Sequence, residues 1–421
     1  MIDTFELFPG VTLRCYPDQR FKHGCLSLQL IRPMCREEAA LNALLPAVLL
    51  RGCGSCPDLR DITLRLDDLY GASVGTMVRR VGDYQTTGLY TSFIEDRFAM
   101  EGDAVLEPMV AFLRELLLDP VLENGVFRAD YVEGEKKNLI STIESQLNDK
   151  RAYAMEQMMR RMCREDTYGL SRLGEKEDVA AITPAALYEH YQKILRASRI
   201  DVFYVGAAPA QQVADLVREM LGNIPRNYEN LPEQTGFHTC PGGNYEEQME
   251  VSQGKLCMGF TCPVTIRDEE FVTMQLLNLI FGGGMTSKLF MHIREKLSLC
   301  YAIGSAYHGA KGIFSVSAGI DSGKSTQVQA EVLAQLEACC RGDISEDELN
   351  AAKQAMRAGL LSTPDAPASI ENYYASAALS GLTLSPEDYM AAVERVTVQQ
   401  VAQAAQKLQL HTVYFLKGVT E

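Results

Sequence analysis

Basic charge and histidine are both in short supply. Against 55 acidic residues the 421-residue chain carries 40 lysines and arginines, for a net charge of −15, and it has only six histidines. Nucleic acid and anionic membranes both demand a basic surface, so neither is expected as a partner. No apolar run approaches the ~20 residues that cross a bilayer. The opening MIDTFELFPG has neither the basic start nor the apolar stretch of a secretory signal, so a cytoplasmic setting is expected. The histidines are dispersed, and no Cys/His nucleophile can be assembled from them. Twelve cysteines are scattered, with Cys339 and Cys340 adjacent, which suits reduced thiols better than a disulfide framework. Cys53-Gly-Ser-Cys56 has thiol-redox or half-zinc spacing, yet no second CxxC or close Cys/His pair completes four ligands. A loop with two free thiols is the expectation, and His238-Thr-Cys240 is read the same way.

A chain of this length exceeds one ordinary core, so two or more domains are expected. Strand patterns at 11–16 and 27–31 are followed by an almost wholly apolar helix at 37–51 and an amphipathic one at 61–70. A hairpin over 73–81 and 84–93 turns at Gly82-Asp83. Long helical patterns fill 100–118 and 130–162, then a helix from Pro184, a strand at 201–205 and a helix at 210–221. The second half repeats the order: strands within 248–264, helices at 269–280 and 288–297, a hairpin, then helices from Thr326 and Glu346. Thr183 and Thr397 stand as matching N-caps before a helix and the strands VFYVG and VYFLKG. A duplication is the simplest account. The halves are placed at 1–222 and 246–421, with a Pro/Gly/Asn-rich linker at 223–245. Strands and helices segregated in this way give an α+β chain of two homologous halves, each a mostly antiparallel sheet with helices packed on one face.

The most informative stretch is FGGGMTSKLFMHIREKLSLCYAIGSAYHGAKGIFSVSAGI, 281–320. Gly282, Gly283 and Gly284 allow a tight turn, Thr286 or Ser287 can cap a helix, and Leu289, Phe290, Ile293 and Leu297 share one face. Arg294 lies at the edge of that face, and Tyr301 opens an alternating strand. This segment resembles the C-terminal half of the pitrilysin/insulinase family of zinc peptidases, which includes the mitochondrial processing peptidases. The likeness spans nearly the whole chain. It implies two like halves of the LuxS/mitochondrial-processing-peptidase-like metallohydrolase fold facing a peptide-binding cleft. In the family this Arg and Tyr contact the peptide from the half opposite the zinc, and Gly282, Gly283 and Gly284 are expected to bind it with them.

The family's zinc helix carries His-x-x-Glu-His, two imidazoles for the metal and a Glu that deprotonates the bound water. Anchored on Leu49-Leu50-Arg51-Gly52, those positions fall here on Ala43, Pro46 and Ala47, and the third ligand falls near Thr142. Glu135 and Glu144 lie close to it in sequence. None of Ala43, Pro46 and Ala47 can bind metal or move a proton. Pro46 inside a helix costs about 3 kcal/mol unless the helix kinks or begins there. No cofactor is therefore expected in this chain, with zinc only in a partner.

The expected function is that of a non-catalytic subunit, not an enzyme on its own, which works beside a zinc-bearing homologous peptidase and supplies Arg294 and Tyr301 to a peptide or unfolded protein substrate. A homodimer is the alternative assembly without that partner. Within the family the chain most resembles inactive firmicute-type members associated with elongation-factor-P modification. The rivals are a purely structural scaffold, a peptide-binding module acting alone, and a nucleotide-binding protein that uses 318–325, AGIDSGKS. That stretch nearly spells a phosphate loop but begins with Ala318 where the loop needs glycine; its plainer reading is a polar turn with Ser322 or Ser325 capping the next helix.

Overall fold

The computed structural model describes residues 2–418. Their contacts divide into two units, one of 2–144, 170–233 and 364–379, the other of 145–169, 234–363 and 380–418. Two stretches, 145–169 and 364–379, thus lie in the unit built mainly from the other half of the sequence.

The first unit holds strands β1 (Asp3–Phe8), β2 (Val11–Pro17), β3 (His23–Pro33), β4 (Ser73–Val81) and β5 (Tyr84–Ile94), a two-residue pair β6 (Leu122–Glu123) and β7 (Val126–Phe127), and β8 (Arg199–Gly206). The sheet order is β1-β2-β8-β3-β5-β4, with β2 and β8 parallel and the remaining pairs antiparallel. The hairpin turns at Gly82, whose φ of 58° only glycine adopts freely. Central β3 is buried on both faces, so its period-two alternation sorts two apolar sets. Leu26, Leu28 and Leu30 enter the main core with Leu44, Phe112, Leu187 and Val213 from four helices. Cys25 instead meets Ile370, and Ile31 meets Leu379. Both partners belong to the Pro367–Ser380 helix, so that helix covers the second face.

The same face carries polar residues, and these also point to that helix. Glu371, 1% exposed, accepts hydrogen bonds from Ser27 Oγ (2.8 Å) and Gln29 Nε2 (2.9 Å). Arg79 donates to both of its oxygens, at 3.2 and 3.0 Å. A buried carboxylate is tolerable only when its lone pairs are filled in this way.

The second unit repeats the plan. Its strands are β9 (Gly243–Met249), β10 (Gly254–Thr261), β11 (Cys300–His308), β12 (Ile313–Ile320) and β13 (Gln409–Gly418), in the order β11-β12-β10-β13-β9. β9 and β13 are parallel and the other pairs antiparallel. That matches β4-β5-β3-β8-β2 strand for strand, so the duplication read from the sequence is present in the topology. One face packs on the Phe271–Phe281 helix, where Phe281 meets Phe314 with ring centroids 5.9 Å apart. The neighbouring Ile313 points the other way, with Cys257, Tyr414 and Leu416, into Ala154, Met158 and Met162 of the Lys150–Met162 helix.

Two helix boundaries differ from expectation. The helix expected from residue 100 begins at Leu106, because the Asp96 carboxylate accepts from Val105 N and Leu106 N, 2.9 Å each, and Glu101 and Gly102 take positive φ. The pattern over 130–162 is two helices, Ala129–Ser145 and Lys150–Met162. Asp149 breaks it by accepting from the N–H groups of Arg151 and Ala152. Among the described residues no helix is long and apolar enough to cross a membrane.

Candidate functional site

The helix expected to carry the metal ligands runs from Arg36 to Leu49, straight through Pro46. A proline leaves the carbonyl four residues earlier without its N–H, and here that carbonyl belongs to Asn42. The Thr87 hydroxyl donates to it at 2.6 Å. Ala43 and Pro46 are buried and Ala47 half-buried, all hydrocarbon, while exposed Thr142 donates to its own helix at Asn138 O, 2.9 Å. The residues at these positions do not fit a zinc ion, because none offers an imidazole, thiolate or carboxylate. The two nearby acids are engaged elsewhere: Glu135 pairs with Arg51 at 3.2 Å and Glu144 with Lys176 at 3.5 Å.

Polar groups of another kind occupy the neighbourhood. Asn42 Nδ2 donates to Gln85 Oε1 (2.9 Å), and Asn42 Oδ1 faces His190 Nε2 at 2.7 Å. Gln85 in turn donates to Ala39 O (3.0 Å) and Arg172 O (2.7 Å). Burial drives the His190 pKa down to about 4, so the ring is neutral near pH 7. Burial alone would raise Glu38, but hydrogen bonds from Arg32 and Lys193 outweigh it and hold that carboxyl at about 2. The Asn42, Gln85 and His190 cluster has no linear signature, because its members come from the Arg36–Leu49 helix, β5 and the Pro184–Ala197 helix.

In the second unit, 289–296 forms a π-helix rather than the α-helix its apolar spacing suggested. Its wider turn is closed by Leu297 N to His292 O, 3.0 Å, after which Ser298 takes a φ of 51°. Leu289 and Ile293 are buried, as the face required. Ser287 Oγ accepts from Phe290 N at 3.4 Å, but the N-cap position of the π-helix is Lys288, with no side-chain cap. Arg294 is exposed; its guanidinium carbon lies 4.6 Å from the Phe290 ring centroid, and its Nη1 is 3.7 Å from Glu295. Tyr301, 54% exposed on the edge strand β11, donates to Asp321 Oδ1 at 3.0 Å. Asp321 also pairs with Lys324 at 2.9 Å. The hydrogen bond to Asp321 raises the Tyr301 pKa, which keeps the phenol a donor, while Lys324 and then Tyr301 lower that of Asp321.

The three glycines are not equivalent. A Cβ on Gly282 would stand 2.7 Å from Ser305 Oγ and 2.8 Å from Leu289 Cδ1, and one on Gly283 would stand 3.0 Å from Asn278 O, whereas one on Gly284 meets nothing within 4 Å. The near-phosphate loop is a short turn at Ser322–Lys324 whose lysine is engaged by Asp321. Neither serine caps the Ser325–Arg341 helix: it has no side-chain cap, and the Ser322 hydroxyl is tied to the Gly418 backbone. Cys53 and Cys56 are both free and buried.

Residues 181–356 match the family model described as the peptidase M16 inactive domain. The chain is 30% identical over 409 residues to the probable inactive metalloprotease YmfF of Bacillus subtilis strain 168, which covers 97% of this chain and 96% of that one. A conserved protein from Enterococcus faecalis V583 superposes with a TM-score of 0.93 at 25% identity, covering 100% of this chain and 99% of that one. The peptidase M16 inactive domain structure from Pseudomonas fluorescens gives 0.82 at 18% identity, with 100% and 98% coverage. Full-length likeness of this degree shows that the chain belongs to the M16 family of pitrilysin/insulinase peptidases as an inactive member.

Proposed function

We propose that this chain is the non-catalytic subunit of a zinc-dependent peptidase heterodimer in the cytoplasm, and that it lends Arg294 and Tyr301 to a peptide bound by a zinc-bearing homologue. The observation that carries the reading is the pairing of two facts within one chain. The water-activating positions are Ala43, Pro46 and Ala47, while an exposed guanidinium and an exposed phenol remain on consecutive elements of the other half. Among the described residues this Arg is held only by stacking on Phe290 and a 3.7 Å contact to Glu295, which keeps donors free for a peptide carbonyl. Tyr301 would exchange its bond to Asp321, an exposed carboxylate, for one to the carbonyl under attack, where it stabilises developing negative charge. Gly284, where an added Cβ would meet nothing within 4 Å, leaves room for a peptide backbone.

Co-purification with a zinc-bearing homologue, followed by turnover assays on Arg294→Ala and Tyr301→Phe, tests this. Loss of turnover with assembly retained supports it. Unchanged turnover would favour the scaffold reading, in which the Tyr301–Asp321 contact is only structural.

A further inference from the structure

A cavity in the same unit has no role in the reading above. It measures about 350 Å³ and lies over β11 and β12, against the start of the Lys150–Met162 helix. Its floor is made of small residues, Gly304, Ser315 and Ser317, and its wall of Asp149, Arg151 and Met155. The Arg151 Nε donates to Ser317 Oγ at 3.2 Å. Its Nη2 reaches over β11, 3.8 Å from where a Cβ on Gly304 would stand.

Among the described residues, neither terminal nitrogen of Arg151 meets a protein acceptor, and Arg151, an exposed residue, forms no ion pair. Ser317, only 6% exposed, accepts from Arg151, and among the described residues no acceptor takes its own hydrogen. The guanidinium and this hydroxyl line the cavity together, open to solvent, and an oxyanion entering it would exchange water for charge-assisted hydrogen bonds from both. Asp149 decides which kind. One of its oxygens caps the helix at Arg151 N and Ala152 N, 3.0 Å each, and its charge remains in the cavity wall. A dianion such as phosphate would meet that carboxylate as well as the arginine. A planar monoanion matches the guanidinium fork at less electrostatic cost.

We propose that Arg151 and Ser317 form a carboxylate-binding subsite, which takes an acidic side chain or a free C-terminus of a peptide. The peptide rests on the function proposed above; the carboxylate rests on this cavity alone. Gly304 matters because any side chain there would fill the space beside Nη2.

Met155 lines the cavity and supplies a reporter. With methyl-¹³C methionine in the full chain, and its signal assigned through Met155→Leu, four probes are titrated: acetyl-AAEA-amide, acetyl-AAQA-amide, acetyl-AAAA with a free carboxylate, and inorganic phosphate. The Met155 methyl is expected to shift saturably with the first and third probes and to stay still with the second. A shift with only one of these two identifies which source of carboxylate is taken. Arg151→Gln is expected to weaken binding about tenfold or more, and Ser317→Ala about threefold. The other methionine signals, unchanged, report that each variant folds, and Ser317→Ala serves where Arg151→Gln does not fold. Equal response to the Glu and Gln peptides, undiminished binding by the variants, or phosphate binding as tightly as the Glu peptide would overturn the proposal. The experiment needs no partner chain, so its failure would leave the role of Arg294 and Tyr301 standing, and failure of that role would leave this subsite standing.

Discussion

Arg79 and Glu371, 292 residues apart, share two hydrogen bonds of 3.2 and 3.0 Å in which both carboxylate oxygens are engaged. The glutamate belongs to a helix from late in the chain, and the sheet it pins is built from the first half. Arg79→Ala leaves a buried charge with, among the described residues, only Ser27 and Gln29 as partners. Breaking one side of such a pair costs about 3–5 kcal/mol. The urea midpoint should fall accordingly, and limited proteolysis should cut first within 364–379. A variant as stable as the parent would show that the pair contributes nothing.

The Thr87 hydroxyl and Pro46 are coupled through a carbonyl that neither owns. Thr87→Val should cost about 1–3 kcal/mol, because Asn42 O is then buried without a partner. In a Pro46→Ala background the restored N–H can serve that carbonyl, so the same substitution should cost less. Denaturation of the four proteins in a double-mutant cycle gives the coupling directly; additive effects would mean the two residues are independent.

His190 makes stability depend on pH in one direction. Burial lowers its folded pKa to about 4 from 6.5, so between those values the unfolded chain binds a proton that the folded chain refuses. Its contribution is complete above pH 6.5 and is lost as pH falls. From pH 7.5 to 5.5, still above the isoelectric point near 5.0, this amounts to about 1 kcal/mol. Glu38, at about 2, stays ionised throughout that window and adds no slope. His190→Gln keeps a donor for Asn42 and should flatten the pH dependence; an unchanged slope would place its origin elsewhere.

Gly282→Ala should lower the melting temperature, since its Cβ would come within 2.7 Å of Ser305 Oγ, beside the Leu289 methyl. Gly284→Ala should be silent in stability, within about 0.5 kcal/mol. If Gly284→Ala nonetheless depresses turnover of the assembled peptidase, the residue acts on the peptide and not on the fold. Equal melting temperatures for the two variants would contradict the contact at Gly282.

Much of the fold was legible because local chemistry and tertiary structure agree. The Gly82 turn, the Thr183 cap (Ala186 N, 3.2 Å) and the Thr397 capping box with Gln400 are set by residues within four positions of one another. The repeat was visible for the same reason. What could not be read is which sheet a helix serves. Ala154, Met158 and Met162 announce an apolar face at helical spacing, but nothing in that spacing says that Cys257 and Tyr414 will cover it. Asp96 and Asp149 shortened and divided two helices by capping, where apolar periodicity suggested continuity. That Ala43, Pro46 and Ala47 offer no metal-binding group is a matter of residue identity alone. The Asn42, Gln85, Thr87 and His190 network, assembled from three distant segments, was not legible.

The division of chemistry between two chains is tested most directly by peptide turnover of the purified heterodimer carrying Tyr301→Phe here, with zinc measured on each separated subunit. The substitution removes one hydroxyl and leaves the ring. Turnover should fall about a hundredfold, the scale of losing one donor to a developing oxyanion, with assembly intact and zinc confined to the partner. Undiminished turnover in that variant, or zinc retained by the chain that carries Ala43, Pro46 and Ala47, would contradict it.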